Sequence, residues 1–242
     1  MSNLENPQKT LFTHHSKADP YYARLKVKSL LSHVDSSKKT YHIALSFEGS
    51  SLQFEPGDSL GILPENDPIL VQKFLSLLTT EPQDLIEDSR SGKIMAAEEF
   101  VRKKVNFSRV NASLLKFFLD QGVEPSISET IKDLLQPSNR AELKEFLLGK
   151  DIIDIVCMLK SSSVSLQDLL PFLGPLLPRF YSISSSPKVY EDEIHLLVAL
   201  LSYSHGNELR YGVASHFLCH LASNETPIGV YVQPAAHFRL PD

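Results

Sequence analysis

The sequence contains no tryptophan and, among its 242 residues, only two cysteines and ten glycines. Without tryptophan, any flat ligand has to be met by Tyr or Phe, of which there are 8 and 13. Cys157 and Cys219 cannot make a disulfide framework and lie outside any metal-ligand spacing. A reducing cytoplasm and no metal site are therefore expected. No apolar run reaches transmembrane length, and the N-terminus lacks a signal-peptide hydrophobic region, so no membrane partner is expected. Neither sign of charge dominates: 24 Lys+Arg against 29 Asp+Glu leave a formal net charge of −5, which argues against nucleic acid. The few glycines form no Gly-rich strand-to-helix turn of the kind that cradles a dinucleotide. The chain does have 42% apolar residues, enough for a sizeable core in one large domain or two.

Residues 1–19 are polar and read as a disordered tail ending at Pro20-Tyr21-Tyr22, with His14-His15 solvent-exposed. Residues 25–30 and 41–47 alternate as strands, with turn material at Asp35-Ser36-Ser37 and Gly49-Ser50. Pro56-Gly57-Asp58 marks a further turn, after which Leu60, Ile62 and Leu63 re-enter the core. Short strands at this spacing suggest an antiparallel barrel.

The period changes at Asp67-Pro68, an N-cap followed by a first-turn proline. Leu70, Val71, Phe74, Leu75 and Leu78 follow at helical spacing. Further helices are expected over 96–101, 112–119, 127–135, 141–148, 151–159 and 166–170. A helical segment thus interrupts a β-rich chain.

Two later stretches carry chemistry. Arg179-Phe180-Tyr181-Ser182-Ile183-Ser184 has the period of a strand, with Arg179, Tyr181 and Ile183 on one face and Phe180, Ser182 and Ser184 on the other. An arginine, a ring and closely spaced hydroxyls suit a ligand with phosphate and flat-ring character. The same residues equally suit an edge strand with a solvated serine run. Downstream, Gly212-Val213-Ala214-Ser215 opens an amphipathic helix bearing Phe217, Leu218 and Leu221. Small residues at a helix start let backbone amides approach an anion, although an ordinary capped helix has the same pattern.

Together these stretches resemble the FAD-binding signature of the ferredoxin–NADP reductase superfamily, Arg-x-Tyr-Ser followed by Gly-x-x-Ser/Thr. Pro56-Gly57-Asp58 resembles a third superfamily motif, with Phe54 replacing its usual Tyr. The order of Pro20-Tyr21, His42-Ile43, Pro56-Gly57-Asp58, Asn66-Asp67-Pro68, Arg179-x-Tyr181-Ser182, Glu193-Ile194-His195 and Phe238-Arg239-Leu240-Pro241 resembles the diflavin reductases, in particular their sulfite-reductase-type branch. The resemblance implies an α+β architecture: an antiparallel β-barrel, ferredoxin-reductase-like, with an α-helical connecting-domain insertion. The barrel would comprise 20–67 and 170–242, and the insert 68–169.

The resemblance further implies FAD contacts from Arg179, Phe180, Tyr181, Ser182, Leu197, Val198, Ala199, Tyr203, Gly212, Val213, Ala214 and Ser215. Arg179 and Ser215 would meet the pyrophosphate, Tyr181 would stack on the isoalloxazine, and Ser182 would bond near its reactive nitrogen. Residues 197–199 and Tyr203 would lie on the adenosine side. Leu197 and Ala199 stand in place of a polar residue and a glycine, so backbone contacts are expected there. Phe107 or Ser108 falls where relatives carry a Thr against the flavin. The implied function is electron transfer from NADPH through FAD to FMN or a metalloprotein partner, haem- or iron–sulfur-containing, with no side-chain acid or base. No flavodoxin-like domain is read before residue 20 and no NADP site within 1–242, so the chain is expected to bind FAD without oxidising NADPH. The alternatives are a non-catalytic flavin-binding docking module and a non-flavin barrel with a helical cap.

Overall fold

A computed structural model describes residues 15–50, 52–159 and 163–235. The elements in chain order are β1 (Tyr21–Leu30), β2 (Thr40–Ser46), β3 (Ser59–Leu63), α1 (Pro68–Leu75), β4 (Leu85–Asp88), β5 (Lys93–Ala96), α2 (Ala97–Lys104), β6 (Val105–Asn106), α3 (Ala112–Gln121), α4 (Pro125–Leu134), α5 (Arg140–Leu147), α6 (Ile152–Leu159), α7 (Leu166–Leu169), β7 (Gly174–Pro175), β8 (Arg179–Ser182), β9 (Glu193–Ala199), β10 (Ser202–His205), β11 (Glu208–Tyr211), α8 (Val213–His216) and β12 (Pro227–Gln233). Most of the expected tail, residues 1–14, and the Phe238-Arg239-Leu240-Pro241 motif lie outside the described residues. Two compact units emerge: residues 1–63, 178–200 and 214–242, and residues 64–177 and 201–213. The hairpin β10–β11, which the sequence reading left with the sheet, is thus grouped with the helices.

The first unit is built on a six-stranded antiparallel sheet of order β8-β3-β12-β1-β2-β9. Ile43, Leu60, Ile62, Leu196 and Ile228 are 0% exposed in its core. β1 alternates only in its first half. A register shift between Leu25 and Val27 breaks its pairing with β2, and Val27 and Leu30 face solvent.

The barrel expected from the sequence is not a closed one. β8 and β9 are the outer strands of the sheet and meet only at a single antiparallel bridge, Ile183–Leu196. The ladder ends at the serines after β8. The His195 carbonyl accepts from both the Ser184 N–H and Ser184 Oγ, each at 2.9 Å, whereas the His195 N–H donates to Ser185 Oγ at 3.1 Å. A side-chain hydroxyl thus takes the N–H that a longer ladder would have used.

The second unit is helical. Asp67 caps α1 as expected, its carboxylate accepting from the Ile69 N–H at 2.8 Å, with Pro68 in the first turn. Asn111 caps α3, which ends at Gly122 with φ +82°, a left-handed conformation that favours glycine. Phe74, Leu114, Leu115, Phe118, Ile152 and Ile155 form its fully buried centre. Asn66 is buried and donates to the carbonyls of Val101 and Val105 at 2.9 and 2.7 Å, tying the start of the unit to α2 and β6. The hairpins β4–β5 and β10–β11 and the short pair β6–β7 complete it.

Candidate functional site

β8 carries the Arg179–Ser182 signature on an outer strand of the sheet, in register with β3: Ser182 opposite Ser59, Tyr181 opposite Leu60, Phe180 opposite Gly61 and Arg179 opposite Ile62. Gly61 is required by packing. A Cβ there would lie 2.8 Å from the Tyr231 ring and 3.1 Å from the Phe180 ring. Those rings meet edge-on with centroids 5.8 Å apart. On the opposite face, the side chains grade from solvent to core: Arg179 is exposed, Tyr181 half-buried and Ile183 buried. Burial, followed by the nearby Cys219, pushes the Tyr181 phenol up to about 12, so it presents a neutral ring at ordinary pH. Ser182 is exposed beside it.

At the other outer strand, β9, Leu197 and Ala199 face solvent, whereas Val198 is fully buried in the core. Val198 can therefore offer a ligand only its backbone. Ala214 and Ser215, at the start of α8, are both buried, and α8 runs on into a π-helical turn over Phe217–Leu221.

Tyr203, Gly212 and Val213 belong to the helical unit. Tyr203 sits on β10 at 43% exposure. Gly212 N–H donates to the Leu201 carbonyl at 2.9 Å, and a Cβ at Gly212 would lie 2.9 Å from the Leu201 side chain. The close approach that needs this glycine is thus made to Leu201. Phe107 is buried edge-on against Phe74 at 5.3 Å, and Ser108 bonds Asn106. Sequence reasoning missed a cleft of ≈ 660 Å³ in this unit that Tyr203 lines together with Arg140, Lys144, Lys150 and Leu147. The spacing of Arg140 and Lys144, one helical turn apart on α5, was the signal available.

The donor set suits a dinucleotide flavin: a guanidinium, a half-buried neutral aromatic ring and an exposed hydroxyl follow one another on an outer strand. Against known proteins, the chain matches the FAD binding domain family over residues 13–217. The chain belongs to that family. It is also 33% identical over 228 residues to the sulfite reductase [NADPH] flavoprotein alpha-component of Bacillus subtilis, covering 94% of this chain and 37% of the relative. Its identity to the protein of that name from Baumannia cicadellinicola is 31% over 230 residues, covering 94% and 37%. The chain therefore spans a little over a third of the length of these relatives. FAD is the cofactor of the family, and its members' shared region includes β8, β9 and the start of α8. No helix among the described residues is long and apolar enough to cross a membrane.

Proposed function

We propose that this chain is the FAD-binding, electron-transfer portion of an NADPH-dependent flavoprotein reductase of the sulfite reductase type, working in the cytoplasm. On this reading the ferredoxin-reductase-like FAD-binding barrel is made in two parts, 20–67 and 170–242, which take in the large sheet and the hairpin β10–β11, and 68–169 is the connecting insert. The observation that carries it is the placement of Arg179, Tyr181 and Ser182 on the outer strand β8, within the stretch that matches the family. Arg179 and Ser215 hold the pyrophosphate, since an arginine fork binds phosphate oxygens bidentately. Tyr181 lies against the isoalloxazine, flanked by Phe180, and Ser182 bonds near its reactive nitrogen. The backbone of Leu197, Val198 and Ala199 and the ring of Tyr203 serve the adenosine side, and Gly212, Val213 and Ala214 allow close backbone approach. Bound FAD supplies the change from two-electron to one-electron transfer, and these residues bind and orient it. NADPH is the electron donor, and the acceptor is a redox protein carrying FMN, haem or an iron–sulfur centre.

The test is titration of FAD into apo-protein. Arg179→Ala should weaken binding by roughly 1.5–3 kcal/mol, through loss of a charge-assisted phosphate contact. Tyr181→Ala, saturated with FAD, should fluoresce more brightly than wild type because a quenching ring is gone. Unchanged affinity and unchanged fluorescence together would remove β8 from the site. FAD binding without electron transfer to any acceptor would leave the docking-module alternative.

A further inference from the structure

The hairpin β10–β11 stands outside the large sheet and pairs only with itself. A lone two-stranded ribbon is marginal in water, so something must hold it. Tyr203 and Arg210 are direct cross-strand partners, which puts their side chains on the same face. That face is clamped onto the start of α6. Arg210 grips Asp154 with both arms of its fork, Nη1 to Oδ2 and Nη2 to Oδ1, each at 2.7 Å. Nη1 also lies 3.3 Å from Asp151 Oδ2 and 3.3 Å from the Gly149 carbonyl.

The receiving carboxylates are themselves locked. Asp151 N–H donates to Asp154 Oδ2 at 2.8 Å and Asp154 N–H to Asp151 Oδ1 at 2.9 Å, a reciprocal cap on α6. A second contact on the same face agrees. Gly149 has φ +76°, and a Cβ there would lie 2.6 Å from Nδ1 of His205, two residues along β10 from Tyr203. Gly149, Lys150 and Asp151 line the cleft whose wall includes Tyr203.

We propose that Arg210 is a positioning residue: by clamping the hairpin to the first turn of α6, it sets the ring of Tyr203 at the cleft wall and so governs affinity for the adenosine end of FAD. This rests on the assignment of Tyr203 to the adenosine side made above. Arg210 itself is spoken for by Asp154, Asp151 and Glu208, and acts through Tyr203.

The experiment compares FAD with FMN, which lacks the adenosine end, by titration into apo-protein. Arg210→Ala should bind FAD about tenfold more weakly, the scale of one lost base–aromatic stack, with FMN affinity unchanged. Tyr203→Ala should show the same pattern, and the double variant should bind FAD no more weakly than Tyr203→Ala alone. Arg210→Lys should resemble Arg210→Ala, because one ammonium cannot reproduce the fork. Should circular dichroism show that Arg210→Ala does not fold, Arg210→Lys and the near-isosteric Asp154→Asn take its place in the same titrations. Equal losses for FAD and FMN would reduce Arg210 to a stabiliser of the fold and overturn the proposal. So would additive losses in the double variant, or wild-type FAD affinity in Arg210→Ala. Wild-type protein that does not bind FAD would instead overturn the functional reading, and the clamp's role with it.

Discussion

The two units hold their strands in place by different means. In the sheet unit each inner strand has neighbours on both sides and an apolar core beneath, and no strand among the described residues depends on an ion pair for its place. The Lys26 side chain, paired with a 20% exposed Glu193, is itself 56% exposed. In the helical unit the hairpin β10–β11 is too short and polar to bury a core of its own, and its anchor is ionic. The Arg210 side chain is only 13% exposed between carboxylates that are 18% and 24% exposed. A charge cluster takes on a structural task where ladder and core are both missing, and stays decorative where they are present.

The comparison can be pressed hardest through the cores. Phe118→Ala, at a fully buried position of the helical unit, should cost about 3–5 kcal/mol in urea unfolding. A cost under 1 kcal/mol would mean that the helices are not packed as described.

Next comes the clamp. Arg210→Ala strands two carboxylates and should cost about 3 kcal/mol, the lower end of the range for breaking a buried pair, since the cluster keeps some contact with water. Its pH dependence has a definite sign. Burial raises the Asp154 pKa, but the hydrogen bonds from Arg210 and the Asp151 N–H, together with the charges of Arg210 and His205, outweigh it and hold the carboxyl below its ordinary range. A depressed folded-state pKa gives stability that is present above the ordinary carboxylate value and is lost as pH falls through the folded-state one. Asp151 is shifted up by burial, so the folded protein protonates it first and its link to Arg210 fades early. The stability gap between wild type and Arg210→Ala should therefore narrow as pH falls below about 4. A gap constant from pH 7 to pH 3 would show that the loss is one of packing alone.

Gly61→Ala tests the sheet unit at the candidate site. Its new methyl meets the Phe180 and Tyr231 rings and should cost about 1–3 kcal/mol by overpacking. Unfolding indistinguishable from wild type would place those rings elsewhere. The smallest effect is expected from Lys26→Ala, whose unfolding curve should superimpose on the wild-type one. A resolved shift there would erase the contrast between the units.

Much of this was legible from residue order. Asp67-Pro68 marked the start of α1 because a capping carboxylate and a fixed proline φ are local devices. The helices over 112–121 and 152–159 showed their apolar period, as did β2 and β3. β4–β5 was not anticipated, since Leu85–Asp88 and Lys93–Ala96 carry no strong alternation. The strand at 179–182 and its two faces were visible as well. The cleft beside Tyr203 was not, because α5, the 149–151 loop and β10 come together only in space.

By itself, then, the sequence determined the elements whose signals are local: the capped helices, the alternating strands and the Arg179–Ser182 signature with the family it belongs to. Tertiary structure alone decided that the sheet stops short of a full barrel, where the hydroxyls of Ser184 and Ser185 meet the backbone of His195. It alone decided that β10–β11 joins the helices, because Arg210 finds Asp151 and Asp154 more than fifty residues earlier in the chain. Propensity and period act between neighbours within a few residues. A hydrogen bond or ion pair between distant segments has no period to betray it, and exists only once the chain has folded.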